Sequence, residues 1–253
     1  MKLYYHRLQI ELTRRCNQEC AHCCRGDAQD IDLTKEVVDC FFQNNTINHI
    51  GTLLFSGGEP TLNGQMLEYV VDSLITKNIP VEMFILGING LSYNKDMVNG
   101  LNKLQDYIQA ISNRKRRSTG LLIVSQDQFH KEANPEVLKQ LQNLPYFVPV
   151  EKTITPQSHL LPYGRAVQNK LSIQEPNLED LTNYQKNYKV KEDQESKYLI
   201  LAYQYLAANG NVINDGNQSY DLMDQYALGN VKRQTVEEMY LQGPVRKLTK
   251  NVL

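Results

Sequence analysis

Four cysteines carry the strongest chemical signal in this sequence: Cys16, Cys20, Cys23 and Cys24 fall within CNQECAHCC, and the rest of the chain holds only Cys40. An odd, crowded set of thiols argues against a disulfide framework, and crowded reduced thiols point to a metal. The first three are spaced C-x3-C-x2-C. Three thiolates on one tight loop can hold three corners of an iron–sulfur cube and leave the fourth iron without a protein ligand. An open position suits a catalytic centre, whereas structural sites are normally closed. Zinc is the competing reading, with Cys24, Cys40 or His130 as a fourth ligand, although there is no second CxxC and no HxxxH. Cys24 follows a ligand directly and is expected to be a free thiol, while Cys40, in VVDCFF, belongs to an apolar helical stripe.

FSGGEP at 55–60 is the second feature. Gly57 and Gly58 remove two consecutive side chains, so a ligand can lie on bare backbone. Glu59 adds a carboxylate able to receive an ammonium group. Further along, SQDQFH at 125–130 offers Asp127, suited to a substrate amine or hydroxyl, and His130, suited to proton transfer. The bland alternative for His130 is a packed or capping side chain. Arg165 suits a carboxylate ligand or a place in the core.

The elements that position these residues alternate. Residues 6–12 are expected to form a strand, 32–45 a helix capped by Thr34, 52–55 a strand and Leu62 to Lys77 a helix. Residues 81–86 then read as a strand, Lys95 to Ile111 as a helix, 121–125 as a strand and Pro135 to Leu144 as a helix. Residues 146–154 look strand-like despite Pro149. Such alternation predicts an α/β fold with a parallel sheet and crossover helices. Ligands of such sheets gather at the carboxyl ends of the strands. The cysteine loop, SGGEP, GING and SQDQFH each follow one of the first four predicted strands, which sets them on one rim.

Bulk properties narrow the class. The chain has 253 residues, a net charge of −1, 41% apolar and 22% charged residues. This fits one large domain, or a domain with a modest appendage. No polybasic face suggests nucleic acid. MKLYYHRLQIELT lacks the apolar core of a secretory signal, and no apolar run approaches the roughly 18 residues of a membrane span. A cytoplasmic protein is therefore expected. The basic run at 113–118 reads as a solvated loop, or as a docking patch for an acidic electron carrier. The charged stretch 176–198 reads as a solvated helix and loop, or as a lid.

Together, CNQECAHC and FSGGEP resemble the radical S-adenosylmethionine (radical SAM) superfamily, over roughly residues 5–168. The resemblance implies a partial (β/α)6-type TIM-like barrel, open on one side, over 1–168, with a small C-terminal extension over 169–253. It implies that Cys16, Cys20 and Cys23 bind a [4Fe–4S] cluster, whose fourth iron is chelated by the amino and carboxylate groups of S-adenosyl-L-methionine. His22 takes the place of an aromatic residue near the adenine. Gly57, Gly58 and Glu59 match the motif that meets the cofactor's ammonium group. Asn89 and Gly90 resemble a third-strand TNG, with Ile88 in place of the threonine, and Ser125 resembles a fourth-strand serine that faces the ribose or carboxylate. The implied reaction is reductive cleavage of the cofactor to methionine and a 5′-deoxyadenosyl radical, which abstracts hydrogen from a substrate. Such a radical must be kept from solvent, by the substrate or by a C-terminal segment. A flavodoxin or ferredoxin is implied as electron donor.

Towards the C-terminus, LPYGRA at 161–166 and the stretch 208–240 resemble the SPASM/twitch extensions of this superfamily. Asn214 stands where those extensions have a cysteine, so a degenerate extension without its cluster is expected, or else an unrelated tail. Several relatives of that type mature ribosomally made peptides, so the reading leans to a peptide or protein substrate. The alternatives are a glycyl-radical activase, a nucleoside- or small-metabolite-modifying enzyme, a non-catalytic iron–sulfur or zinc protein, and a partner subunit. An N-terminal peptide-recognition wing does not fit before the first strand, so recognition is expected to fall to the tail or to a separate partner.

Overall fold

The structure, a computed structural model, describes residues 1–111, 120–176 and 187–241. The basic run 113–118, residues 177–186 of the charged stretch and residues 242–253 lie outside them. Strands β1 (Lys2–Glu11), β2 (Thr46–Ser56), β3 (Val81–Ile88) and β4 (Gly120–Val124) pair side by side, all parallel. Their inward residues, among them Leu8, Ile10, Leu53, Phe84, Leu86 and Leu122, are buried, as a sheet covered by crossover helices requires.

Those helices are α1 (Lys35–Asn44), α2 (Gly64–Thr76), which follows a 3-10 turn at Pro60–Asn63, and α3 (Lys95–Ile111). Each buries one apolar stripe: Val37, Val38, Phe41 and Phe42 on α1, and Leu67, Val70, Val71 and Leu74 on α2. Thr34 caps α1 by accepting from the Val37 amide. The helix begins just after this expected cap, and Asp32, ahead of it, is engaged elsewhere. Its carboxylate accepts from Thr13 Oγ1 at 2.6 Å and from the Arg15 guanidinium at 2.9 and 2.7 Å. After β4 comes α4 (Pro135–Leu141), and the strand expected at 146–154 shrinks to a single bridge, Phe147 opposite Leu122. Pro149 follows the last ladder bond, from Val148 N to Leu122 O, and has no N–H with which to continue it.

Helix α5 (Gly164–Gln168) precedes a tail that rejoins the sheet. It comprises β5 (Tyr188–Glu192), β6 (Lys197–Leu201), β7 (Gln204–Leu206), β8 (Asn211–Ile213), α6 (Tyr220–Gln225), β9 (Gly229–Asn230) and α7 (Val236–Leu241). β6 pairs in parallel with Lys2–Tyr5 of β1, and β7 with Leu8–Ile10. Among the described residues the order is β4-β3-β2-β1-β7-β8-β9, with β5 and β6 beside it. The sheet does not close, and the expected open α/β barrel architecture is what the chain adopts. Leu199, Leu206, Val212 and Met239 of the tail share a hydrophobic core with β1 and α1.

A buried ion pair fixes this junction. Glu11, at the end of β1, accepts from Arg14 Nε at 3.1 Å, from Tyr205 Oη at 2.7 Å and from the Ala208 amide at 2.9 Å. Arg14 and Glu11 are both fully buried, and Arg14 also makes a two-pronged pair with Asp224 of α6 at 2.8 Å on each prong. Glu11→Gln removes the charge that faces Arg14 from within the core while Asp224 remains. It is expected to cost about 2–3 kcal/mol, read as a lower urea midpoint with an unchanged m value.

Candidate active site

At the carboxyl ends of β1 to β4 the chain encloses a cavity of about 200 Å³, far more than the roughly 10–15 Å³ a single water needs. Cys16, Cys20 and Cys23 line one wall, and Gly57, Gly58 and Glu59 another. Asn89, Ser125 and His130 complete it from β3, β4 and the loop after β4. Nine of the residues singled out in the sequence, and Arg165 with them, thus share one cavity. His22 and Asp127 do not line it, but both contact His130. Cys24 does not line it either, so the described residues place three thiols here and no fourth.

The two main motifs are stitched together backbone to backbone. Gly58 N donates to Thr13 O and Glu59 N to Arg15 O, both at 2.8 Å. A Cβ on Gly57 would sit 2.5 Å from Thr13 O, and one on Gly58 2.3 Å from Arg15 O. Both glycines touch the cavity, but the side chains they lack would collide with the root of the cysteine loop. Close approach of two backbones therefore requires them, beyond any bare surface they offer a ligand. On the far side, the loop is gripped by α5. Cys23 O accepts from Arg165 N at 2.9 Å and from Gly26 N at 3.3 Å. Gly164 has φ +54°, and a Cβ there would lie 2.6 Å from the carbonyls of Cys23 and Cys24.

Glu59 is buried, and both of its oxygens are engaged. Oε1 accepts from Thr61 N at 3.1 Å and Thr61 Oγ1 at 2.7 Å, and Oε2 from Asn89 N at 2.9 Å. It caps the 3-10 turn and fastens the end of β3 to the glycine turn. Burial pushes its carboxyl up, and the Thr61 and Asn89 donors oppose this in part. Asn89 Nδ2 then reaches Asn17 Oδ1 at 2.6 Å, which ties β3 to the cysteine loop.

Burial also raises the Cys16 thiol, and it raises that of Cys20, beside Cys16 and Cys23, to about 11. Without a metal these thiols are held as neutral groups; coordination would draw the protons off. Three facing thiols, a cavity and no fourth protein thiol match the donor set of a cluster with one open iron. They match a closed four-ligand zinc site poorly.

Beyond β4, Asp127 Oδ1 accepts from Phe129 N at 2.9 Å and lies 2.6 Å from His130 Nδ1, while Oδ2 accepts from Thr155 Oγ1 at 2.9 Å. Burial alone would raise the Asp127 carboxyl, but these donors outweigh it and hold it below the usual carboxylate range. The hydrogen bond assigns the proton to His130 Nδ1 and leaves Nε2 as the acceptor. His22 stacks on Phe129 at 4.7 Å and meets His130 edge-on at 5.0 Å; burial lowers its pKa. The His22, Asp127 and His130 ligand atoms lie within 4.8 Å of one another. The contact between Asp127 and His130 is nevertheless a hydrogen bond, so these two act as an oriented pair.

Sequence reasoning missed Arg14 and Arg25, which also line the cavity. Arginines flanking a cysteine loop, as Arg14 and Arg25 do, normally read as a solvated face. Arg14 is buried between Glu11 and Asp224, and the second of these lies far along the chain.

No protein-family model matches the sequence, and no curated protein matches it. Solved structures do share its fold. BtrN in complex with AdoMet and 2-DOIA aligns at a TM-score of 0.54 and 14% identity, over 95% of this chain and 84% of that one. anSMEcpe with bound AdoMet and Cp18Cys peptide aligns at 0.52 and 15%, over 95% and 80%. Streptococcus suis SuiB bound to precursor peptide SuiA aligns at 0.51 and 11%, over 96% and 66%. All three are radical SAM enzymes. The chain has the radical SAM fold. The CNQECAHC loop and SGGEP turn stand together at one end of that fold's parallel strands.

Two outcomes follow. Gly58→Ala forces the turn off the loop and is expected to cost about 1–3 kcal/mol, with less iron bound per chain after anaerobic reconstitution. For Asp127, a depressed folded-state pKa adds stability above the unfolded value of about 4, and that stability is lost as pH falls through the lower folded value. The melting-temperature gap between wild type and Asp127→Asn should therefore be full above about pH 5 and close below about pH 4. A gap that widened on acidification would contradict the assignment.

Proposed function

We propose that this protein is a radical SAM enzyme that reductively cleaves S-adenosyl-L-methionine at a [4Fe–4S] cluster and takes a hydrogen atom from a peptide or protein substrate. The observation that carries the reading is the meeting of three thiols and the Gly57-Gly58-Glu59 turn in one cavity at the carboxyl ends of a parallel sheet. In this proposal Cys16, Cys20 and Cys23 hold three irons, and the cofactor occupies the fourth. The bound group supplies one-electron reduction of a sulfonium and the hydrogen abstraction that follows.

The chain's own residues bind, orient and exclude water. Gly57, Gly58 and Glu59 meet the methionyl ammonium group, and the engaged oxygens of Glu59 keep acceptor capacity for it. Asn89 and Ser125 face the ribose or carboxylate, and His22 lies on the adenine side. His130 exchanges a proton with the substrate at Nε2, and Asp127 fixes its tautomer. The tail, where Asn187 Nδ2 donates to Asn214 Oδ1 at 2.6 Å, is proposed as a SPASM/twitch-like remnant without a cluster.

The peptide leaning is supported by two fold neighbours whose structures hold peptides. The BtrN complex with 2-DOIA keeps a small-molecule substrate as the second reading. The electron would come from a flavodoxin or ferredoxin in the cytoplasm. No helix among the described residues is long and apolar enough to cross a membrane.

The deciding assay uses anaerobically reconstituted protein with dithionite and S-adenosylmethionine. Wild type is expected to release 5′-deoxyadenosine, and the Cys16→Ala, Cys20→Ala, Cys23→Ala triple variant none. Bound zinc with no iron–sulfur absorbance in the wild type would sink the proposal.

A further inference from the structure

Three guanidiniums line the cavity, and their neutralisation differs. Arg14 is fully matched by Glu11 and Asp224. Arg25 donates to Gln218 O at 3.2 Å and Met223 Sδ at 3.1 Å, and lies over the Tyr205 ring. Arg165 has one anionic contact, Nη1 to Asp27 Oδ1 at 3.4 Å, and the Asp27 side chain is 85% exposed, so water screens it. Its Nε is buried and has no hydrogen-bond partner among the described residues. Among the described residues neither Arg25 nor Arg165 has a buried carboxylate partner, but the Arg25 guanidinium is held by Gln218, Met223 and Tyr205, whereas Arg165 stands in the same cavity as Cys16, Cys20 and Cys23 with its Nε unpartnered.

We propose that Arg165 is the electrostatic partner of the cluster and sets the potential at which it accepts an electron. This rests on the cluster reading above. Three thiolates around an iron–sulfur core make a net negative site, and reduction adds one more negative charge. A nearby fixed cation favours the reduced form and raises the potential, one of the charge effects by which proteins tune such clusters.

The geometry separates this role from a scaffolding one. Arg165 holds the loop through its backbone N–H to Cys23 O, a bond that glutamine or lysine at this position keeps. The side chain is left for its charge.

The test is an electron-paramagnetic-resonance potentiometric titration of the reconstituted full chain without S-adenosylmethionine, with iron content measured on the same samples. Arg165→Gln is expected to keep wild-type iron and titrate at a more negative midpoint. Arg165→Lys, which keeps the charge, should stay near wild type, as should Lys152→Gln, a cation at the exposed surface. Arg165→Gln with full iron and a wild-type midpoint overturns the proposal. So does Arg165→Lys shifting as far as Arg165→Gln, or a loss of iron in Arg165→Gln, which would mark the side chain as scaffold. A wild type that forms no cluster would instead refute the three-cysteine reading and take this inference with it.

Discussion

The site depends on one close approach, where the Gly57-Gly58-Glu59 turn lies against Thr13, Arg14 and Arg15 with no room for a Cβ. Two amide-to-carbonyl bonds close the contact. They extend the β1–β2 ladder past the ends of both strands, so the cysteine loop leaves the sheet in a fixed direction. The Glu59 side chain carries the constraint onward to the Asn89 amide, and Asn89 carries it back to Asn17 inside the loop. One turn thus sets the relative positions of residues from three strands. Its cost is a carboxylate removed from water, met by three donors.

The loop's other end depends on a different part of the chain. Cys23 O is held by Arg165 N, and Tyr220 N, at the start of α6, donates to Arg25 O at 3.1 Å. Arg14 passes under the loop to Asp224 on the same helix and packs against the Tyr220 ring. The tail is therefore more than a neighbour in the sheet, since its helix α6 supplies a carboxylate and an aromatic ring to the floor beneath the thiols. Cutting the loop's supports on either side would free the cysteines even with every strand of the parallel core intact.

How much of this the sequence revealed follows from the range of the forces involved. Local signals were legible: α3 has the bounds its periodicity implied, and the Thr34 and Asn134 caps accept from amides of the first turn as such residues do. The motifs read correctly as sharing one rim, because side chains at the ends of parallel strands must. Long-range pairing was hidden. The polar first half of β2 is a strand only because it lies beside Lys2–Tyr5, and that segment of β1 is held in turn by β6. The burial of Arg14, the engagement of Asp32 and the grip of α5 on Cys23 all join residues too far apart for spacing to reveal. The glycine pair was legible as a motif but not in its reason, since only coordinates show where the missing side chains would point.

The same distinction orders the polar residues around the cavity. Arg14 and Glu11 have their hydrogen-bonding capacity spent on the scaffold, and low dielectric makes those contacts rigid. His130 is held at Nδ1 and free at Nε2, and Arg165 is held by its backbone and largely free at its guanidinium. Groups fixed at one end and unspent at the other are what a pre-organised site requires, because little reorganisation then remains when charge or a proton moves. The division falls by depth. Arg14 and Glu11 lie buried at the root of the cysteine loop, whereas His130, after β4, and Arg165, at the start of α5, line the cavity with the three thiols. That arrangement leaves the cavity itself as the place where their remaining valences meet.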